Sequence, residues 1–187
     1  MFNLWFLFGP PAAGKSTVAG LLKNRLQFDY LYIGELLIQA AQSQRDGSQD
    51  LWQTLVAGGS APPHIAAGLV RDHFRRSSLE WNTVLDGYPR SERDLKDLDD
   101  VLGPHILDRV GGIVVLMASE TVLRARGLHR GRIDDDTNAF ERRLARFYDQ
   151  QIPMLQRLGE RWPVRIVDAS QNPNDVYAAV VSIVSGH

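Results

Sequence analysis

The apolar positions of this chain follow two alternating patterns: short unbroken runs of strand length, and longer stretches in which they recur every three or four residues. Residues 3–8 form the first run, and residues 17–26 follow at helical spacing with Val18, Leu21, Leu22 and Leu26. Residues 28–33 are a second aromatic and β-branched run, and a helix is expected from Gly34 through Ala41. A polar loop over 42–48, a helix over 51–56, the break Gly58-Gly59-Ser60-Ala61-Pro62-Pro63 and a helix over 65–75 read as a small helical insert. The alternation continues with strand 81–85, a helix capped by Ser91 that runs to about 101, strand 113–117, and a helix over 120–126 capped by Ser119. A long helix is expected over 139–150, with Pro153 restarting or kinking it, before strand 164–167 and a closing helix over 173–184. Unbroken apolar strands alternating with helices predict an α/β fold whose five-stranded parallel sheet is covered on both faces.

Composition narrows the function classes. A chain of 187 residues suits one domain with a substantial core. A net charge of −1 and a pI near 6.5 supply no global attraction to nucleic acid or to an anionic membrane, and no partner of either kind is expected. Any anion binding must come from local clustering. Of the 21 basic residues only Lys15, Lys23 and Lys96 are lysine, and seven arginines fall between Arg124 and Arg146. Arginine offers planar, multidentate contacts to phosphate. The absence of cysteine excludes disulfides and thiolate zinc sites and fits a cytoplasmic protein, and the five histidines show no metal-ligand spacing. The first apolar run lacks a basic flank and reads as a core strand rather than a signal peptide, and no segment approaches transmembrane length.

The most specific chemistry lies between that first strand and its helix. Gly9-Pro10-Pro11-Ala12-Ala13-Gly14-Lys15-Ser16-Thr17 fits the phosphate-binding pattern Gly-x4-Gly-Lys-Ser/Thr without a gap. A glycine-rich turn there aims backbone N–H groups at phosphate oxygens, the helix N-terminus adds its positive dipole end, and Lys15 bridges β- and γ-phosphates. Ser16 or Thr17 would supply a hydroxyl for Mg²⁺. Asp86 closes an apolar strand, where an open parallel sheet places its ligand crevice, and a carboxylate there can hold Mg²⁺ through water. Arg90 follows four residues later. A third group, Arg126, Arg130, Arg132 and Arg143, is interleaved with Asp134, Asp135 and Asp136. Phosphoryl transfer builds negative charge on donor and acceptor, and arginines on a movable loop suit its neutralisation.

Taken together, Gly9-Pro10-Pro11-x-Ala13-Gly14-Lys15-x-Thr17, Asp86-Gly87-Tyr88-Pro89-Arg90 and Arg132-x-Asp134-Asp135 followed by Arg143-Leu144 resemble the adenylate kinase and nucleoside monophosphate kinase family over essentially the whole chain. The resemblance implies the P-loop NTPase three-layer fold with sheet order 2-3-1-4-5, ATP and Mg²⁺ as cofactors, and a monomer. It divides the chain into a core (1–33, 70–126 and 139–187), a helical acceptor-binding insert (34–69) and a short lid (127–138). It implies a donor site made by Gly9, Pro11, Ala12, Ala13, Gly14, Lys15, Ser16 and Thr17, with Arg126 and Arg130 on the ATP base and phosphates and the backbone near Gln171 and Asn172 on the adenine. Lys15, Arg90, Arg132 and Arg143 resemble the residues that act on the transferred group. Gly34, Glu35, Ile38, Ala61, Gly87, Arg90 and Asp94 occupy the acceptor-binding positions, and Ser16, Thr17 and Asp86 the metal-binding ones.

The acceptor half departs from the family pattern. Ile38 stands where an arginine would grip the acceptor phosphate, a loss of roughly 1.5–3 kcal/mol unless Arg45 or Arg71 substitutes. Asp94 stands where glutamine commonly reads an adenine edge; as an ion it only accepts hydrogen bonds and suits an amino or ring N–H donor, or else it is a helix carboxylate. Pro62-Pro63-His64 replaces the usual Val-Pro-Asp or Glu, and Ala12 and Ser16 replace two loop glycines. The expected activity is transfer of the γ-phosphoryl of ATP to a small phosphorylated acceptor, with a nucleoside monophosphate leading. A kinase of a nucleotide-like or other monophosphate or phosphonate, and a catalytically weak ATP-binding regulatory module, are the alternatives.

Overall fold

The computed structural model describes residues 2–43, 47–128 and 137–186. In chain order the elements are β1 (Leu4–Phe8), α1 (Lys15–Leu26), β2 (Asp29–Tyr32), α2 (Ile33–Ala41), α3 (Ser48–Val56), α4 (Pro63–Arg76), β3 (Thr83–Asp86), α5 (Glu92–Leu102), α6 (Pro104–Leu107), β4 (Val110–Met117), α7 (Glu120–Leu128), α8 (Thr137–Arg146), a π-helical turn (Phe147–Gln151), α9 (Ile152–Gly159), β5 (Val164–Asp168) and α10 (Pro173–Val184). The strands form one five-stranded sheet in the order β2-β3-β1-β4-β5, with every neighbouring pair parallel. This is the predicted order.

Side-chain alternation on β1 shows why the first apolar run has no polar face. Leu4, Phe6 and Phe8 enter one core cluster with Leu37, Val70, Leu98 and Phe147, while Trp5 and Leu7 enter a second cluster with Val18, Leu22, Leu123 and Val180. Both faces of the central strand are therefore covered by helices, and every position must be apolar. The register Leu7↔Asp86 sets the end of β3 beside the end of β1, so the carboxyl ends of the two central strands open at one edge.

Element ends differ from the sequence reading where side chains from elsewhere intervene. β4 begins at Val110 instead of residue 113, because the Trp5 ring packs over Gly111 and Gly112 and holds them in the sheet. Ile33, expected in a strand, is the first residue of α2 and is fully buried beside Leu37. At Pro153 the helix does not stop: α8 widens into the π-helical turn and resumes as α9, with the proline in its first turn. No described helix is long and apolar enough to cross a membrane.

Candidate active site

The loop between β1 and α1 is shaped by two kinds of constraint. Gly9 lies so close to β4 that a Cβ there would sit 2.5 Å from the carbonyl oxygen of Leu116, and its φ is +148°. Ala12 and Gly14 adopt left-handed backbone angles, with φ of 63° and 90°, and Gly14 is the N-cap of α1. Alternating hand along such a turn gathers N–H groups on one side, above the positive end of the helix dipole. Lys15 folds back over this loop, its Nζ donating to the carbonyls of Gly9 (2.7 Å) and Pro10 (3.1 Å).

Two cavities flank the loop. Gly9, Pro11, Ala12, Gly14, Lys15 and Ser16 line the first, together with Asp86 and Gly87 at the end of β3, Arg90 beyond it, and Arg143 and Arg146 on α8. Its opposite wall comes from the segment between β2 and β3: Tyr32, Gly34, Ile38, Trp52, Leu55, Val56, Gly59 and Ser60. Asp86 is 2% exposed and accepts a hydrogen bond from the Tyr30 hydroxyl at 3.0 Å, which orients the carboxylate, and the Tyr30 ring stacks on Tyr32. Arg90 is fixed at both ends: its Nε donates to the Gly87 carbonyl at 2.5 Å and its backbone N–H to Asp94 Oδ2 at 2.9 Å.

The second cavity lies on the other side of Ala12 and Gly14 and is lined by Ala13, Thr17, Val18, Arg126 and residues 169–173. Arg126 spans three consecutive carbonyls of that loop, donating from Nη1 to Ala169 (2.7 Å) and from Nη2 to Ser170 (3.3 Å) and Gln171 (3.5 Å). The loop is held again at both ends. Ser170 N–H donates to Asp168, and hydrogen bonds from Ser170 hold that carboxyl below the usual carboxylate range, while Asn172 Oδ1 caps α10 through the N–H groups of Asn174 and Asp175.

The structure thus brings Lys15, Ser16, Asp86, Gly87, Arg90, Arg143, Gly34 and Ile38 around one space, and Ala13, Thr17, Arg126, Gln171 and Asn172 around the next. Three predicted acceptor-binding residues stand apart from the described cavity lining. Glu35 is exposed on α2, and Ala61 packs against the core. Asp94 is 4% exposed, with Oδ2 accepting from the backbone N–H groups of Arg90 and Ser91 as half of the capping box of α5. Ser91 caps that helix as predicted. Arg130 and Arg132, and Arg45 as a substitute for the missing arginine, lie outside the described residues. Tyr30, Trp52 and Arg146 join the site residues without belonging to any of the motifs. Arg146 had a signal, since it lies three residues from Arg143 and therefore on the same helical face.

Arg124 on α7 forms a two-pronged pair with Glu141 on α8, at 2.9 and 3.1 Å, and also meets Glu120. The pair lowers the carboxyl of Glu141 and raises the guanidinium of Arg124, and it joins the elements on either side of residues 129–136. Among the described residues no group of three or more histidine or acidic side chains is placed to cage a metal ion. A lone carboxylate near a hydroxyl is instead the kind of hard-oxygen site that holds Mg²⁺ together with substrate phosphates and water.

Comparison with known proteins gives a consistent result. A family profile described as Adenylate kinase matches residues 7–161. The adenylate kinase of Mycobacterium sp. (strain MCS) is 29% identical over 92% of this chain and 93% of its own length. Adenylate kinase 2 of Nostoc sp. is 25% identical over 95% and 96%, and UMP-CMP kinase 2 of Caenorhabditis elegans is 27% identical over 98% and 96%.

Proposed function

The chain belongs to the adenylate kinase family and is an ATP-dependent phosphotransferase, and from that premise we propose that its acceptor is a nucleoside monophosphate bound in the first cavity. The observation that carries this reading is the convergence of Lys15, Asp86, Arg90 and Arg143, from four separate stretches of chain, on a single space beside the phosphate loop. The donor's phosphates would lie on the loop and Lys15, and its nucleoside in the second cavity between Arg126 and residues 169–173. An oxygen of the acceptor phosphate attacks the γ-phosphorus as the bond to the β–γ bridging oxygen breaks. Arg90 and Arg143 stand ready to neutralise charge on the three equatorial oxygens. Mg²⁺, when bound, would neutralise charge between the β- and γ-phosphates. Ser16 and Asp86 would hold it, since Ser16 shares the first cavity with Asp86 and Thr17 faces the second. Segment 34–69 is read as the acceptor-binding insert and 127–138 as the lid over both substrates.

One observation favours a second acceptor class. The insert wall of the cavity is apolar, with Ile38, Trp52, Leu55 and Val56, and suits a monophosphate or phosphonate with an apolar body. The test is an ADP-release assay with ATP and Mg²⁺ over AMP, dAMP, CMP, UMP, GMP and dTMP, then phosphonates and sugar phosphates, with Lys15→Ala as the inactive control. Rapid turnover of a nucleoside monophosphate is expected. Turnover confined to non-nucleotides would replace the acceptor, and ATP binding without turnover of any acceptor would leave a nucleotide-binding module.

A further inference from the structure

The first cavity has an asymmetric charge distribution. The insert side is apolar at Ile38, while three guanidinium groups, Arg90, Arg143 and Arg146, line the core side. Arg146 stands in the last turn of α8, partly buried, and its Nη2 donates to the carbonyl of Gly58 at 2.6 Å. That bond exists because the insert loop docks closely on α8. Gly58 has φ of +72°, and a Cβ there would lie 2.9 Å from the Ala139 Cα and carbonyl oxygen. Arg142 makes a parallel tether, its Nε donating to Ala57 O at 2.8 Å, but its own side chain is exposed. Burial first, and then the like charges of Arg90, Arg143 and Arg142, hold the Arg146 guanidinium below its usual pKa. A half-buried guanidinium beside other guanidiniums on a cavity wall is a favourable seat for a phosphate.

We propose that Arg146 grips the acceptor phosphate together with Arg90, holding it from α8 and the core in the role that Ile38 on α2 cannot fill. This inference rests on the acceptor reading of the first cavity. Its consequence is a division of labour within the site: the core supplies the phosphate contacts, and the insert supplies an apolar wall against the body of the acceptor. Arg71 does not take the role, because it lies on α4 away from the described cavity lining.

The test uses full-length protein saturated with Mg²⁺ and the non-hydrolysable analogue AMP-PNP, so that the phosphate loop is filled. AMP and, separately, inorganic phosphate are then titrated by calorimetry. Arg146→Ala is expected to weaken phosphate binding at least about tenfold, the size of a lost charge-assisted contact, with AMP-PNP affinity unchanged. Arg146→Gln, which keeps a donor for Gly58 without the charge, should show the same loss even where the alanine variant folds poorly. Arg142→Ala, which cuts only the neighbouring tether, should retain phosphate affinity, and Ile38→Arg should restore it in the Arg146→Ala background. Wild-type phosphate affinity in both Arg146 variants, an equal loss in Arg142→Ala, or no phosphate binding by the wild type would overturn the proposal. Wild-type protein that binds inorganic phosphate but not AMP would remove AMP as the acceptor alone, and the Arg146 comparison would still be decided with phosphate.

Discussion

Replacing Asp94 separates a residue that reads the acceptor from one that builds the site. Its Oδ2 accepts from Arg90 N–H at 2.9 Å and Ser91 N–H at 3.1 Å, its own N–H donates to Ser91 Oγ at 3.2 Å, and its side chain is 4% exposed. Asp94→Ala strands two backbone donors with little access to water, at about 1–3 kcal/mol each, so a loss of roughly 2–6 kcal/mol is expected. For a chain of this length each kcal/mol moves the thermal midpoint by about 2–4 °C, which gives a drop of roughly 4–24 °C by differential scanning calorimetry. Asp94→Asn keeps an oxygen for both donors and loses only the charge. Charged hydrogen bonds are worth about 1 kcal/mol more than neutral ones, so about 2 kcal/mol goes. The asparagine N–H₂ would also enter the place of Oδ1, which is buried with no hydrogen-bond partner among the described residues. Because Asp94 holds the backbone of Arg90, Asp94→Asn should lower kcat/KM for every acceptor by a common factor and leave their ranking unchanged. A wild-type midpoint with an altered ranking between amino-bearing and carbonyl-bearing bases would refute this reasoning and put the carboxylate on the base.

Two further outcomes are expected. Gly9→Ala drives a Cβ against the Leu116 carbonyl and should cost about 1–3 kcal/mol together with weakened ATP binding, whereas Gly20→Ala, in α1 with nothing within 4 Å of the added Cβ, should stabilise by about 0.5–1 kcal/mol; calorimetry and ATP titration of both check the contrast, which equal midpoints would contradict. Asp29 accepts a hydrogen bond from His73 Nε2 at 2.9 Å, and that contact holds its carboxyl below the ordinary value of 3.8. A carboxyl with a depressed folded pKa stabilises fully above its unfolded value and loses that contribution as pH falls through the folded one, so the midpoint difference between wild type and Asp29→Asn should shrink as pH drops from about 5 to about 3. A difference that stays constant over that range would count against the pair.

The phosphate loop, the parallel sheet and the ends of several helices were legible because each rests on local rules, whereas the strand order followed from the family resemblance. Gly-x4-Gly-Lys-Ser needs only its own backbone, buried parallel strands must be apolar throughout, and Ser91 caps the helix that immediately follows it. Asp86 and Arg90 were legible as well, since strand ends in such a sheet face the crevice. What local rules leave open is which long side chains converge from distant segments. Asp94 is near Arg90 in sequence, yet its direction depends on which N–H groups the turn at 88–91 leaves unpaired. Arg146 reads as one basic residue among seven until Gly58 brings the loop after α3 against α8. The contiguous loop that opens onto the sheet edge was thus readable from its own residues. The far wall of the first cavity was not, because Arg146 and Gly58, 88 residues apart, meet only where the loop after α3 packs on α8.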